Sequence, residues 1–321
     1  MPMRPLAGMQ SMASRTQQSA SSRTSVACVV ERCAMRWAQR DTSRRHPPRF
    51  FMRRNLAPIL IGGVPRSGTT LFRAMLDAHP HIHCGPERKL LAPLVRSQRQ
   101  WWQVFGPSLE GANITRDTMD AAAGAYLRTL LQRSAKPGLR PAEKTPNLLL
   151  FASDLGRMLP EARFIHVVRD GRAVAASLVR QEWVDPKNGQ KVPYTENLQS
   201  AIRYWGQYQL EASAQLRTMP GRCTEVRYEN LVRQPEIEMK RILTFLEEPW
   251  SPSVLEHHRA GTALPNTEAS SRAVAEPLHD RATTAWMQRV TAHELAEMEA
   301  IAGPVLRALG YPEVQRDESL R

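Results

Sequence analysis

The sequence predicts an α/β fold with a central, mainly parallel sheet covered by helices on both faces. Two observations predict it. Short apolar runs such as "PILIG" and "RFIHVV" have the length of buried strands, and amphipathic stretches of helical period separate them, which is the pattern of parallel βαβ units. A chain of 321 residues, 42% hydrophobic, buries one large core or two modest ones, and nothing in its composition suits a fibrous protein.

The elements follow in order. Residues 1–54 form a basic, Ser- and Arg-rich leader without sustained periodicity, expected to be disordered. An organellar transit peptide, or a start codon mis-assigned upstream of Met35 or Met52, are the alternatives for it. The globular domain spans 55–315, and 316–321 is a tail. A strand is expected at 58–62 and a helix over Thr69–Asp77, then helices near 98–105, over Arg116–Ser134 and at 148–158. Strand Arg163–Val168 leads into helix 172–181, a polar loop at 184–193 and a long helix at 196–216. Strand Cys223–Arg227, helix 235–245, a Ser-, Thr-, Ala- and Pro-rich loop at 260–285 and helix 293–309 complete the chain.

Charge narrows the function classes. Of the formal net charge of +13, the leader's eleven arginines, set against Glu31 and Asp41, supply about +9 and leave about +4 for the domain. That excess suits an anionic ligand and is too weak to argue for a nucleic-acid groove. No apolar run approaches the ~18 residues of a membrane span. Cys28, Cys33, Cys84 and Cys223 fit neither a zinc ribbon nor a disulfide framework, so a reducing compartment is expected.

"GGVPRSGTT" carries the first chemistry. It matches the phosphate-loop pattern G-x-x-x-x-G-K-[ST] at Gly63, Gly68 and Thr70, but Thr69 stands where the lysine belongs. The amides of residues 67–70 begin a helix, and Ser67, Thr69 and Thr70 add hydroxyls, so an anion belongs there. Without the lysine a triphosphate is disfavoured; Arg66 supplies a planar cation for a monophosphate or mixed anhydride. No magnesium-binding partner segment stands out, so metal-free transfer fits. "ARFIHVVRDGRAVAASLV" repeats the strand, turn and helix, with Arg169 and Ser177 facing the crevice at the strand ends as a candidate second phosphate site. "CTEVRYENLVRQP" places Tyr228 at another strand end, where its ring can flank a base. "HPHIHC" holds three alternating histidines and Cys84, a metal set in principle, although His79 reads better as structural.

These segments, with "CGPER", "EKTPN", "FLEEPWSPSVLEHH" and "IAGPVLRALGYPE", resemble the sulfotransferase family, and its tyrosylprotein branch most closely, in order across residues 56–313. The resemblance implies a P-loop fold related to nucleotide kinases. It also implies a donor, 3'-phosphoadenosine 5'-phosphosulfate (PAPS), whose sulfuryl group passes to an acceptor hydroxyl without a metal. Residues 66–70 (Arg66, Ser67, Gly68, Thr69 and Thr70) would hold the phosphosulfate, Arg169 and Ser177 the 3'-phosphate, and Tyr228 would contact the donor. Thr284 falls on the family's catalytic serine, Glu87 on the general base and Lys144 on the lysine that stabilises developing charge, with Arg66 assisting. His81 or His83 could replace Glu87, since another branch uses histidine.

Departures accompany the likeness. Pro86, Glu87, Arg88 and Lys89 stand where the branch has Glu-Glu-Thr-Arg, so Arg88 and Lys89 are what remains of an acidic-peptide clamp. Relatives in the secretory pathway bridge the Cys84 position to the place held here by Glu143, and the Cys223 position to that of Gln215. Both pairs are broken, and a cytoplasmic enzyme is expected. The acceptor expected is an acidic, tyrosine-containing peptide, with a carbohydrate, lipid or small-molecule hydroxyl as alternative; a homodimer is compatible with the same likeness. An ATP-dependent P-loop kinase and a non-catalytic nucleotide-binding module are the alternatives outside this chemistry.

Overall fold

The computed structural model describes residues 56–259 and 274–314. The leader at 1–54, the tail at 316–321 and residues 260–273 of the expected loop lie outside the described residues.

Five parallel strands form the sheet in the order β2-β3-β1-β4-β5: β1 (Ile59–Gly62), β2 (Ile82–His83), β3 (Arg140–Lys144), β4 (Arg163–Val168) and β5 (Cys223–Arg227). Helix α1 (Thr69–Asp77) follows β1. Helices α2 (Leu91–Gly111) and α3 (Arg116–Ser134) lie between β2 and β3, and α4 (Ala152–Met158) precedes β4. Helices α5 (Gly171–Leu178) and α6 (Leu198–Leu216) separate β4 from β5. Beyond the sheet come α7 (Tyr228–Arg233), α8 (Pro235–Leu246), a single turn α9 (Arg281–Thr284) and α10 (Ala292–Ala308).

Side chains alternate across the strands, and both faces are apolar because both are covered. Leu60 and Phe164 enter one core with Val174, Ile202 and Trp205 of α5 and α6. Ile59, Ile61, Ile165 and Val167 enter the other, with Phe72 and Met75 of α1 and Ile242 of α8. Burying each such side chain fully contributes about 1.5–3 kcal/mol, so the two-faced core dominates the stability of the sheet.

Strands β2 and β3 were not expected from periodicity. β3 reads "RPAEK", yet all five residues are buried. Its polar groups are satisfied from outside the strand: Arg140 donates to the carbonyls of Ala57 (2.6 Å) and Leu246 (2.5 Å), and Glu143 and Lys144 pair with the segment after β2. The helix expected near 98–105 is 21 residues long and runs through Pro107. Register brings the carboxyl ends of the strands together, pairing Ile61 with Lys144, Gly62 with His166 and Val168 with Arg227. The loop after β1, Lys144, Arg169 and Tyr228 therefore share one edge of the sheet.

Candidate active site

The loop after β1 is shaped by close approach. A Cβ on Gly63 would stand 2.3 Å from the Val167 carbonyl oxygen, and one on Gly68 would stand 2.4 Å from the Tyr228 ring. Gly68 has φ 94°, in the left-handed region, and no side chain caps α1 there. This N-terminus, which no side chain caps, is the end of the helix that favours negative charge. Arg66 holds φ 75°, a conformation that costs a non-glycine residue energy and that clusters at functional sites. Ser67 is fully buried, and its hydroxyl has no partner among the described residues.

A cavity of about 550 Å³ opens beside this loop. One wall comes from α5 and the turn after it, with Ala173, Ala176, Ser177 and Arg180 at i, i+3, i+4 and i+7. Ala282 of α9 and Ala285, Trp286 and Arg289 of the turns after it also line the cavity, as do Arg169 and Tyr228. Arg66 Nε donates to Ser177 Oγ at 3.1 Å. Arg169 donates to the carbonyls of Arg66 (3.0 Å) and Ala282 (2.5 Å), and its guanidinium lies 4.3 Å over the Tyr228 ring. Burial, reinforced by Arg169 and Arg180, lowers the pKa of Arg66 below the usual guanidinium value. Burial raises the pKa of the Tyr228 hydroxyl, which stays neutral.

Arg169 is fixed from behind. Trp205 Nε1 donates to its carbonyl at 3.1 Å, and the neighbouring Asp170 amide donates to Glu229 at 3.0 Å.

Lys144 lies at the other side of the loop. Its Nζ donates to Thr70 Oγ1 at 3.4 Å and pairs with the Glu87 carboxylate. Thr70 also lines the cavity, so it joins this pair to the arginine-lined space. Lys144 is 1% exposed and Glu87 keeps an 18% opening to solvent, so the carboxylate faces outward from a buried ammonium. The strand end that carries Lys144 is held by the Gly63 amide (3.0 Å) and the Tyr208 hydroxyl (2.6 Å), both donating to the Pro146 carbonyl.

Two of the expected residues, Arg88 and Thr284, do not line the cavity. Arg88 does not extend as a clamp: its amide donates to Glu143 Oε1 at 3.2 Å and its guanidinium to Glu143 Oε2 at 2.8 Å, with further bonds to the carbonyls of Ala142 and Ser134. A fully buried Glu143 draws it inward, because an unpaired carboxylate there would be costly. Burial raises the Glu143 pKa and Arg88 opposes that shift. Lys89, by contrast, is exposed with φ 54°. Thr284 is exposed and is not among the residues that line the cavity. Its neighbour Thr283 is buried and donates to the Asp280 carbonyl at 2.7 Å.

His79 and His81 lie elsewhere, whereas His83 ends β2 beside Gly85 and Arg88. His79, His81 and Glu248 cluster within 4.8 Å, but His79 Nε2 bonds the Pro249 carbonyl (2.9 Å) and its Nδ1 accepts from the His81 amide (3.2 Å), which uses both ring nitrogens structurally. His81 precedes β2 and bonds Glu248, the partner of Arg140 at the start of β3. That is the opposite edge of the sheet from Lys144, roughly 13 Å along the strand. Cys84 is buried and Cys223 half-buried, both as free thiols.

Arg180, Arg281, Arg289 and Trp286 line the cavity without having been singled out in the sequence. Arg180 was findable, since it sits three residues beyond Ser177 on the same helical face. The others carried no signal, because α9 is a single turn inside a segment without periodicity.

A glycine loop, a helix terminus and several arginines at the carboxyl edge of a parallel sheet define an α/β protein built to take a multiply charged anion. Comparison makes the class specific. Residues 58–252 match the model of the "Sulfotransferase family". The chain is 35% identical over 262 residues to protein-tyrosine sulfotransferase 2 of Gallus gallus, covering 79% of this chain and 69% of that protein. It is 33% identical over 270 residues to protein-tyrosine sulfotransferase 1 of Danio rerio, covering 82% and 74%. Its fold is similar to that of the sulfotransferase domain from the Synechococcus PCC 7002 olefin synthase, at 23% identity and a TM-score of 0.55, over 78% of this chain and 95% of that one. The chain belongs to the sulfotransferase family and is a sulfotransferase, which sets aside the kinase and the non-catalytic module.

Proposed function

We propose that this sulfotransferase uses PAPS as donor and the hydroxyl of a protein or peptide tyrosine as acceptor. The observation that carries the proposal is the Glu87, Lys144 and Thr70 constellation, joined through Thr70 to a cavity rich in arginine. The cavity fits such a donor: the Ser67 hydroxyl and Arg169 Nε are buried without partners among the described residues, as groups awaiting anion oxygens are. Its volume lies in the range of small-ligand sites.

The loop amides, Ser67, Thr69 and Thr70 would hold the phosphosulfate end, and Arg169, Ser177 and Arg66 the 3'-phosphate end. Placement of Arg66 beside Ser177 supports moving its main role from the sulfuryl group to this second phosphate. Bound PAPS supplies an activated sulfuryl group on a phosphate leaving group. Glu87 takes the acceptor proton as the new oxygen–sulfur bond forms, and Lys144 balances charge on the oxygen that departs. The names of the relatives support tyrosine as acceptor. The inward turn of Arg88 favours keeping a second reading, in which the acceptor is a carbohydrate, lipid or small-molecule hydroxyl.

Incubating the full chain with labelled PAPS, an acidic tyrosine peptide and a panel of glycans and phenols tests both. Label on the peptide tyrosine is expected; label on a glycan or phenol alone overturns the tyrosine reading and leaves the donor reading standing. A homodimer is proposed through Trp101, Val104 and Phe105, large apolar side chains exposed on one face of α2, and sedimentation of Trp101→Arg checks it. Free Cys84 and Cys223 support a reducing, cytoplasmic setting, which cell fractionation tests.

A further inference from the structure

Trp286 lines the donor cavity with its indole 3% exposed, and its Nε1 is buried with no acceptor among the described residues. A buried N–H without an acceptor is uncommon in a folded protein and calls for an explanation. Packing alone does not supply one, because a phenylalanine would fill an apolar wall without the polar atom.

The indole is held in place from outside the cavity. The Arg172 guanidinium lies 5.3 Å over its ring, and Arg172 is itself locked by Asp170 (2.8 Å), Glu299 (2.6 Å) and the Pro312 carbonyl (2.9 Å). One turn before Trp286, the Ala282 carbonyl accepts from Arg169. The segment that carries the indole is thereby tied to the arginine, and Ser177 of α5 and Arg180 just after it line the same cavity.

We propose that the Trp286 indole N–H donates a hydrogen bond to the phosphate group held by Arg169, Ser177 and Arg66, and so helps select a nucleotide with a 3'-phosphate. The inference rests on the PAPS reading. A neutral donor with one fixed direction complements the arginines: they set the charge of the group that binds, while the indole sets where one of its oxygens must lie.

Calorimetric titration of the full chain with 3'-phosphoadenosine 5'-phosphate and with adenosine 5'-phosphate tests it. Trp286→Phe keeps the ring and its contact with Arg172 but removes the donor. It is expected to weaken the bisphosphate about tenfold or more, as loss of a hydrogen bond to a charged group does, and to leave the monophosphate within about twofold. Equal loss for both nucleotides would show a packing role and overturn the inference, as would unchanged binding of the bisphosphate. If the variant does not fold, the assigned Trp286 indole proton of the wild-type chain gives the answer by NMR. It moves downfield with the bisphosphate and not with the monophosphate, and an unmoved proton overturns the inference. A wild-type chain that ignores the bisphosphate sinks the PAPS reading itself, whereas wild-type binding with an unaffected variant sinks the indole contact alone.

Discussion

The two ends of the crevice at the strand termini handle positive charge in opposite ways. At the β3 end each cation meets a carboxylate, Lys144 with Glu87 and Arg88 with Glu143. At the β4 end the Arg169 guanidinium donates to neutral oxygens, the carbonyls of Arg66 and Ala282, while Arg66 Nε reaches Ser177 and Arg180 lies close enough to lower the Arg66 pKa further. A neutralised pair can exchange a proton and share charge as bonds change. A guanidinium bonded to carbonyls, as Arg169 is, keeps its charge for an incoming anion. Under the proposed function the difference gives chemistry to one end and binding to the other, along one edge of the sheet.

The largest test of that division is Glu87→Gln. Loss of the base is expected to lower kcat about 10²–10⁴-fold. Donor affinity is retained or improved, because an anion approaching Lys144 no longer competes with a carboxylate. Rapid-quench turnover and donor titration separate the two quantities, and a matching fall in affinity would break the comparison.

Arg88→Ala probes the second pair. Glu143 would be left buried and unpaired, which costs about 3–5 kcal/mol. Burial already raises the Glu143 pKa, so the group takes up its proton above the ordinary carboxylate range. The unfolded chain loses that proton at lower pH, so the raised pKa opposes folding as pH climbs. The penalty of the variant is therefore greatest near neutrality and shrinks as the medium is acidified and Glu143 becomes neutral. Thermal unfolding from pH 7 downward checks this. Unchanged stability with a raised KM for acidic peptide would restore Arg88 as a clamp. The pair also ties the Glu87 segment to β3 through an ion pair and a bond from the Arg88 main-chain amide.

Gly68→Ala acts between the two ends. A methyl 2.4 Å from the Tyr228 ring, at φ 94°, forces the loop or the ring to shift. A loss of about 1–3 kcal/mol in donor binding is expected from such strain, read as a raised dissociation constant.

Legibility differed between the ends for physical reasons. The β4 end was readable because "GGVPRSGTT" and "VVRDG" join buried apolar strands to helices, and glycine marks where the backbone must approach closely. The β3 end was hidden, since "RPAEK" has a polar composition and its burial depends on partners far along the chain, such as Arg88 and Leu246. Glu87 and Lys144 emerged only through likeness to a family, because an acid and a base 57 positions apart carry no local pattern. The wall at Ala282 to Arg289 begins with a single helical turn, too short for periodicity to register, and Thr284 was singled out there only through likeness to a family.

The smallest expected effect belongs to Arg180→Ala, and it tests whether the β4 end works as a charge store. Arg180 lines the cavity and lies near enough to Arg66 to depress its pKa, so like charges are held together before any ligand arrives. Removing one relieves that repulsion and also removes one favourable term with the phosphate, and the two partly cancel. A loss of about 1 kcal/mol, or roughly fivefold in donor affinity, is expected where charges meet near a protein surface. Turnover at saturating donor should not change, because the proton and the developing charge are managed at Glu87 and Lys144. Raising ionic strength should narrow the gap between variant and wild type, since screening weakens what Arg180 contributes. A fall in kcat at saturation would place Arg180 with the chemistry and remove the boundary between the two ends.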